Sequence, residues 1–457
     1  MSHSYQLTPY PVGSRREFWT MSWPLMLAMV SSTLMMFVDR LFLSRFEPSA
    51  LNAAVSGGMA YFIFLVFPMA IAAISEVLVG RLHGADRHGE VGSAVWQMVW
   101  FGVFLTPIFL GLAFVMPLFL FRGTGIEVEE TAYFRTMMFF ALFQCTTIAL
   151  SGFFIGIGKV KVVTISAVLG NLVNIALDYV LIFGWGPIPS FGVAGAAFAT
   201  GLSLLVQTLF LLAMIFRKRE REKYRTQTFG FSPHFFKEGL RIGTPSGLGH
   251  MLEVIAHFVF LRIVMSVGQS QMTIVAMVQS FYILFSFIND SASKAASAIV
   301  ANLLGASVRN VFHRVLGSAF SLQVFYFLIL MVSLFVFPDF LPSLFLSHPE
   351  NSLLAEPSMR ETFVMAIFYM AIFFLFDGVS WILIGFLTAA GDTRFIFWVS
   401  LIIHWGAYVV PTLFLIGMEH HGADVAWAII AGMSLLTSLV YLVRYRTGAW
   451  LRRYQRI

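Results

Sequence analysis

The chain has 457 residues, 58% of them hydrophobic and 11% charged, with a formal net charge of +6. An ordinary soluble protein is roughly 25% charged, so a water-facing surface of this size cannot be built from these residues and lipid must cover most of it. Nucleic-acid binding is excluded by where the positive charge falls, and an intrachain disulfide by the presence of a single cysteine, Cys145.

From the N-terminus, Met1 to Trp19 is polar and carries Arg15-Arg16; a full-length apolar span without a small-residue cleavage signature follows, which reads as an uncleaved signal-anchor. Runs long enough to cross ~30 Å of hydrocarbon lie at roughly 18–43, 50–82, 92–119, 133–157, 160–184, 192–216, 240–266, 271–303, 314–337, 361–389, 394–418 and 423–445. This predicts an all-α integral membrane protein of twelve transmembrane helices. An even number puts both termini on one side. The termini and even-numbered loops carry 22 of the 29 Lys and Arg, against six in the odd-numbered loops and adjoining helix ends; Lys294 falls inside span 8. The positive-inside bias predicts cytoplasmic termini, leaving the acidic stretch Glu127, Glu129, Glu130 and the Pro-rich 337–358 loop outside.

The longest polar cytoplasmic segment, Arg217 to Lys223, falls between spans 6 and 7. It reads first as a solvated linker, with a lipid- or partner-binding patch as the alternative. It divides the chain into an N-terminal tail (1–17), an N-lobe (18–216), a linker (217–239), a C-lobe (240–445) and a C-terminal tail (446–457). The halves repeat. Tyr61 and Leu82-His83-Gly84-Ala85 match Tyr282 and Leu303-Leu304-Gly305-Ala306 at an offset of 221, while Gly158 and Gly184 match Gly391 and Gly417 at 233. Six spans per half make the repeat parallel, giving two pseudo-symmetric six-helix lobes. Such repeats are a transporter design with the substrate path at the repeat interface.

An ionisable residue inside a span is costly and is a functional hypothesis by default. Asp39, Asp178 and Thr200 fall at depths of roughly 6, 9 and 12 Å from the outer face at about 1.5 Å per residue. Asn174 precedes Asp178 by one turn on the same face, and Asn171 extends that stripe. Two carboxylates, amides and a hydroxyl form an all-oxygen site, suited to a hard monovalent cation such as Na+ or to a proton shared between carboxylates. The alternative is an interhelical hydrogen-bond cluster in which Arg40 or Arg45 neutralises Asp39. In the second half, His404, Ala407 and Pro411 stand where Asn171, Asn174 and Asp178 stand in the first. The C-lobe instead offers Glu253 and Asp377, at roughly 20 and 24 Å from outside, as a cation or proton site. Asp290 and Lys294, one turn apart on span 8, either pair with each other or set an ammonium against that site.

Pro24 removes one backbone bond from span 1, either loosening it for bending or serving as an ordinary membrane proline. Met35-Met36-Phe37 beside Asp39 is an adaptable apolar run and a candidate for substrate contact, although most of the 23 Met and 50 Phe are lipid-facing filler. His83, His88 and Met418-Glu419-His420-His421 lie in predicted loops without metal-ligand spacing. There is no phosphate loop, Ser/His/Asp arrangement or zinc motif, so no enzyme is expected.

Together, the Pro-containing span 1 ending in Asp39, Leu82-His83-Gly84-Ala85, Asn174-x-x-x-Asp178 and Gly192-Val-Ala-Gly-Ala-Ala-x-Ala-Thr200 resemble the multidrug and toxic compound extrusion (MATE) family over essentially the whole chain. The resemblance implies Na+- or H+-driven antiport of cationic amphipathic drugs by alternation of the lobes, in a multi-pass protein of the bacterial inner membrane. It implies a monomer with no cofactor beyond the coupling ion. Asp39, Asn174, Asp178 and Thr200 match the family's N-lobe cation site, and Glu253 and Asp377 match C-lobe acids; Lys294 departs from the pattern. A lipid-linked saccharide flippase of the same superfamily is the alternative, for which an Arg/Lys-lined cavity is expected.

Overall fold

A computed structural model describes residues 5–336 and 356–454. The predicted 337–358 loop therefore lies outside the described residues except for its last three. The described residues contain no β-strand, only an isolated bridge between Trp185 and Ile188. Among the described residues eleven helices are long and apolar enough to cross a membrane, and a bent pair taken as one span makes a twelfth: α1 (Arg15–Phe46), α2 (Pro48–Gly84), α3 (His88–Leu120), α4 (the bent pair, Glu127–Phe139 with Ala141–Gly156), α5 (Val160–Phe183), α6 (Gly192–Ile215), α7 (Pro233–Val267), α8 (Gln269–Gly305), α9 (Phe312–Val336), α10 (Pro357–Ala390), α11 (Thr393–Met418) and α12 (Ala423–Arg446). The two parts of α4 meet at a 44° bend. There the Phe140 amide bonds back three residues, to Met137, and its ring packs against Gly201.

Two helices, α4 and α7, begin about two turns earlier than predicted. The turn from Glu127 to Glu130 was expected outside span 4, but it opens α4, where its carboxylates complement the positive end of the helix dipole. α7 begins at Pro233 because its first turns are amphipathic and so invisible to a search for apolar runs; Phe235 is buried and Glu238 pairs with Arg81 at 3.1 Å. The linker is packed as well as solvated. It holds a helix, Lys218–Tyr224, whose buried Glu220 pairs with Lys159. Beyond that helix, the Trp96 indole donates to the Thr226 carbonyl at 2.7 Å.

The described chain forms two compact units. The first comprises Met1–Pro9, Thr20–Gly247 and Ala301–Arg309; the second comprises Tyr10–Trp19, Leu248–Val300 and Asn310–Ile457. The division thus cuts through α1, α7 and α8. The start of α1, in the second unit, is fixed by two local bonds: the Glu17 amide donates to Ser14 Oγ at 3.2 Å, and Glu17 Oε2 accepts from the Gly13 amide, one residue before the serine, at 2.6 Å.

The repeat is conformational as well as sequential. Asp86 and Ser307, 221 residues apart, both take left-handed backbone, with φ of 59° and 60°. The turns around them close with the same bond, Arg87 N–H to Leu82 O and Val308 N–H to Leu303 O, each 2.9 Å. At the other offset, Gly158 and Gly391 have φ of 77° and 79°, and Lys159 and Asp392 bond back to Phe154 and Leu387. Gly184 and Gly417 diverge: Gly184 has φ 81° after α5, whereas Gly417 lies inside a π-helical turn of α11. Within the first unit the glycine motifs explain themselves. A Cβ on Gly84 would overlap the Asn302 carbonyl, and one on Gly305 would overlap the Arg81 carbonyl. Residues 81 and 302 are themselves 221 apart, so the α2–α8 crossing is reciprocal, backbone against backbone. His83, expected in a loop, is buried in the last turn of α2, its Nδ1 2.8 Å from Asn302 Oδ1.

Candidate functional site

In the first unit a polar seam joins α5 to α1. Thr164, Asn171 and Asp178 recur every seven residues, two helical turns, and so share one face of α5. Thr164 Oγ1 donates to the Pro24 carbonyl at 2.6 Å, and Asn171 Nδ2 donates to Ser31 and Ser32 Oγ at 2.9 and 3.3 Å. At the third level Asp178 and Asp39 are close enough to feel each other's charge. α1 runs through Pro24 as one helix. Asn171 therefore sits two turns from the acids and serves the seam.

The remaining predicted residues come together around the acids. Asn174, oriented by its neighbours, donates to Asp178 Oδ2 at 3.0 Å and accepts from the Thr200 amide at 3.2 Å. Its side-chain amide is also 3.3 Å from Thr200 Oγ1. α6 is held against α5 here because Gly195 leaves no Cβ against the Leu181 carbonyl. Asp39 and Asp178 are both buried, and the Oδ1 atom of each has no hydrogen-bond donor. Among the described residues no ion pair joins Asp39 to an arginine; Arg40 and Arg45 are exposed. Uncompensated carboxylate oxygens in a buried site are what a cation or a shared proton satisfies. Tyr133 belongs to this cluster too, within electrostatic reach of both acids. Its ring lies 3.3 Å from the place of a Cβ on Gly57. The Gly57-Gly58 pair in span 2 was the available sequence signal for that approach. Met35 is half-buried, and Met36 and Phe37 are exposed, one turn below Asp39.

In the second unit Glu253 and Asp377 line one cavity of about 100 Å³ with His404 and Tyr441. Glu253 Oε1 accepts from Ser400 Oγ at 2.7 Å, and Oε2 is 3.1 Å from His250 Nδ1. Asp377 Oδ2 accepts from Tyr282 Oη at 2.7 Å and Asn289 Nδ2 at 2.9 Å. Lys294 pairs with Asp290 at 2.6 Å, the first of the two arrangements the spacing allowed. Sequence reading missed His250, Ser400, Tyr282 and Asn289. His250 was detectable, one turn before Glu253. The others come from helices whose facing cannot be read from spacing.

Carboxylates inside membrane helices, buried in the first unit and half-buried around a cavity in the second, in an all-helical multi-pass fold, point to a membrane transporter. A family model described as MatE matches residues 24–180 and 245–412, more than half the chain. The chain belongs to the MATE family of transporters. It is 23% identical to the probable multidrug resistance protein NorM of Thermotoga maritima, over 96% of this chain and 94% of the relative. It is 26% identical to that of Pseudomonas aeruginosa, over 90% and 84%. A solved structure described as the outward-facing conformation of a multidrug resistance MATE family transporter of the MOP superfamily shares the fold, with a TM-score of 0.85 at 19% identity over 99% of each chain. A MOP superfamily transporter from Pyrococcus furiosus does so with a TM-score of 0.84 at 19% identity, over 98% of this chain and 99% of its own.

Proposed function

We propose that the chain is a secondary antiporter that exports small organic, cationic amphipathic compounds in exchange for Na+ or H+ by alternating access. The observation that carries this reading is the pair of buried, donor-free carboxylate oxygens on Asp39 and Asp178, with Asn174 and Thr200 beside them. The relatives named for multidrug resistance support the substrate class and give no support to the flippase alternative. Na+ bound at Asp39, Asn174, Asp178 and Thr200 would be a transported substrate, not a resident cofactor. Coupling requires that ion and drug favour different conformations, since a ligand with equal affinity for both shifts nothing. Ion loading would reshape the N-lobe through α1, bending at Pro24 where one backbone bond is absent, with Met35, Met36 and Phe37 as drug contacts. The positive-inside count supports cytoplasmic termini and a linker on the same side; the bacterial inner membrane and a monomeric working unit complete the proposal.

Purified protein in proteoliposomes tests this directly, with a fluorescent amphipathic cation and Na+ and pH gradients imposed separately. Accumulation driven by at least one gradient, and collapsed by its ionophore, is the expected result. Accumulation indifferent to both gradients would sink the antiport reading.

A further inference from the structure

The segment that joins α6 to α7 is fastened along α3. That helix has 33 residues, about 50 Å at 1.5 Å per residue, against ~30 Å of hydrocarbon. Counted back ~30 Å from its apolar end at Leu120, the edge of the hydrocarbon falls about twenty residues earlier, at Trp100. Residues 88–99 therefore stand clear of the hydrocarbon, and the linker lies along one face of them. Gly92 leaves no Cβ against the Arg225 carbonyl. The Trp96 indole donates to the Thr226 carbonyl at 2.7 Å, and the Trp100 indole to the Phe229 carbonyl at 2.8 Å. Gln97 clamps the linker on both sides of Phe231, donating to the Gly230 carbonyl at 3.1 Å and accepting from the Ser232 amide at 3.0 Å.

This fastening presents two aromatic rings instead of burying them. Phe229 and Phe231 flank Gly230 and are 47% and 50% exposed. Phe231 packs edge-on against Phe104 of α3, ring centroids 5.8 Å apart, and Phe104 is itself 52% exposed, with Ile108 at 55% one turn further into the span. The exposed apolar face of α3 thus continues without a break onto the linker, at the level of Trp100. Amphipathic aromatic rings concentrate at that level of a bilayer. In water the linker rings would leave apolar surface wet; at the edge of the hydrocarbon they are covered.

The charges fit the same placement. Between 217 and 239 the linker carries seven Lys and Arg and three Glu. Glu220 and Glu238 pair with Lys159 and Arg81, which lie outside the linker, and Glu222 is 4.0 Å from Lys218. Arg217, Arg219, Arg221, Lys223, Arg225 and Lys237 remain exposed, without an ion pair among the described residues. We propose that the linker is a membrane-surface anchor for anionic phospholipid: Phe229 and Phe231 insert at the headgroup–acyl boundary of the leaflet on the linker's side, and the basic side chains hold lipid phosphates. Each Lys or Arg near a membrane surface adds to the attraction for anionic lipid. This anchor lies beyond the antiport reading and does not depend on it.

Gly230→Cys puts a fluorescent label between the two rings and keeps both; the position has open space around it, and Cys145 is buried. The labelled full chain is placed in phosphatidylcholine bilayers in which a minority of the lipid has brominated acyl chains, carried on either phosphatidylglycerol or phosphatidylcholine. Bromine quenches only at close range. Both lipids should quench the label at 230, phosphatidylglycerol at least about twofold more strongly at ~50 mM salt, and the difference should shrink at ~0.5 M. A label at Glu222→Cys is the water-side control. Its helix packs on His88, with the Tyr224 and His88 ring centroids 5.5 Å apart, about 18 Å above Trp100, and neither lipid should quench it. Arg219→Gln, Arg221→Gln and Arg225→Gln together should make the two lipids equal at 230 while quenching by both persists, because the rings still insert. No quenching at 230, or equal quenching at 222, overturns the anchor and leaves the basic surface to an acidic soluble partner. Equal quenching by the two lipids with the arginines in place, or a phosphatidylglycerol preference unchanged in the triple variant, overturns the phosphate assignment. If Gly230→Cys does not fold, Phe231→Cys carries the same label at the same level with the same expected outcome.

Discussion

The two halves of the chain share a scaffold and differ in chemistry. At the ends of α2 and α8 the Gly84–Asn302 and Gly305–Arg81 approaches mirror one another, and the turns after them share left-handed residues and closing bonds. A second pair of crossings repeats as well: Gly152 packs on Ser75 and Glu76 in the first unit, Gly385 on Ser293 and Ser297 in the second. The polar sites do the opposite. The first unit groups Asp39, Asp178, Asn174 and Thr200, oxygens with two atoms left unsatisfied. The second unit places His404 and Pro411 where Asn171 and Asp178 would repeat, and its acids are capped by hydroxyl, amide and imidazole groups. Backbone-to-backbone packing tolerates almost no change, because an added Cβ has nowhere to go. A side chain facing a cavity can be replaced as long as its polar partners change with it.

The largest effect should come from attacking what the halves share. Gly84→Val or Gly305→Val forces a branched side chain into a facing carbonyl and should cost more than about 3 kcal/mol. The readout is loss of the monodisperse peak in detergent, with Gly111→Val, which has open space around it, behaving normally. Equal damage at Gly84 and Gly305 sharpens the reciprocity; damage at only one breaks it.

Next come the sites, which should fail differently. Asp178→Asn keeps the size of the side chain and its capacity to hydrogen-bond, so it should fold and reach the membrane. Gradient-driven export should drop to background, and drug affinity measured with and without Na+ should no longer respond to Na+. A preserved Na+ response would move coupling to the second unit. There, Glu253→Gln and Asp377→Asn should each impair export to a similar degree, with the double variant little worse than either, since both line one cavity. Additive losses would separate them. The smallest effect belongs to Thr200→Ala, which removes a neutral oxygen and should weaken ion affinity by about 1 kcal/mol, roughly fivefold.

Much of this was legible in order of residues. The apolar runs located all twelve spans, since lipid demands a length of hydrocarbon that the sequence either has or lacks. The 3.6-residue period put Asn174 and Asp178 on one face, and the motif opening α6 placed Thr200 near them. Where the pattern was amphipathic instead of apolar, as in Pro233 to Leu240 and Lys218 to Tyr224, helices went unseen. Spacing also left Lys294 open between two roles.

The sequence by itself determined the number of spans, the repeat, the glycines on which it turns and the acids placed in the membrane, because each is a property of one helix or of a fixed offset. Only the tertiary structure decided which partners those acids meet. Helical period tells which residues share a face, but the neighbour across that face is chosen by the packing of helices distant in sequence. That packing left Asp39 and Asp178 with oxygens to spare, gave Glu253 to Ser400 and His250, and turned His404 Nδ1 onto the Ser400 carbonyl.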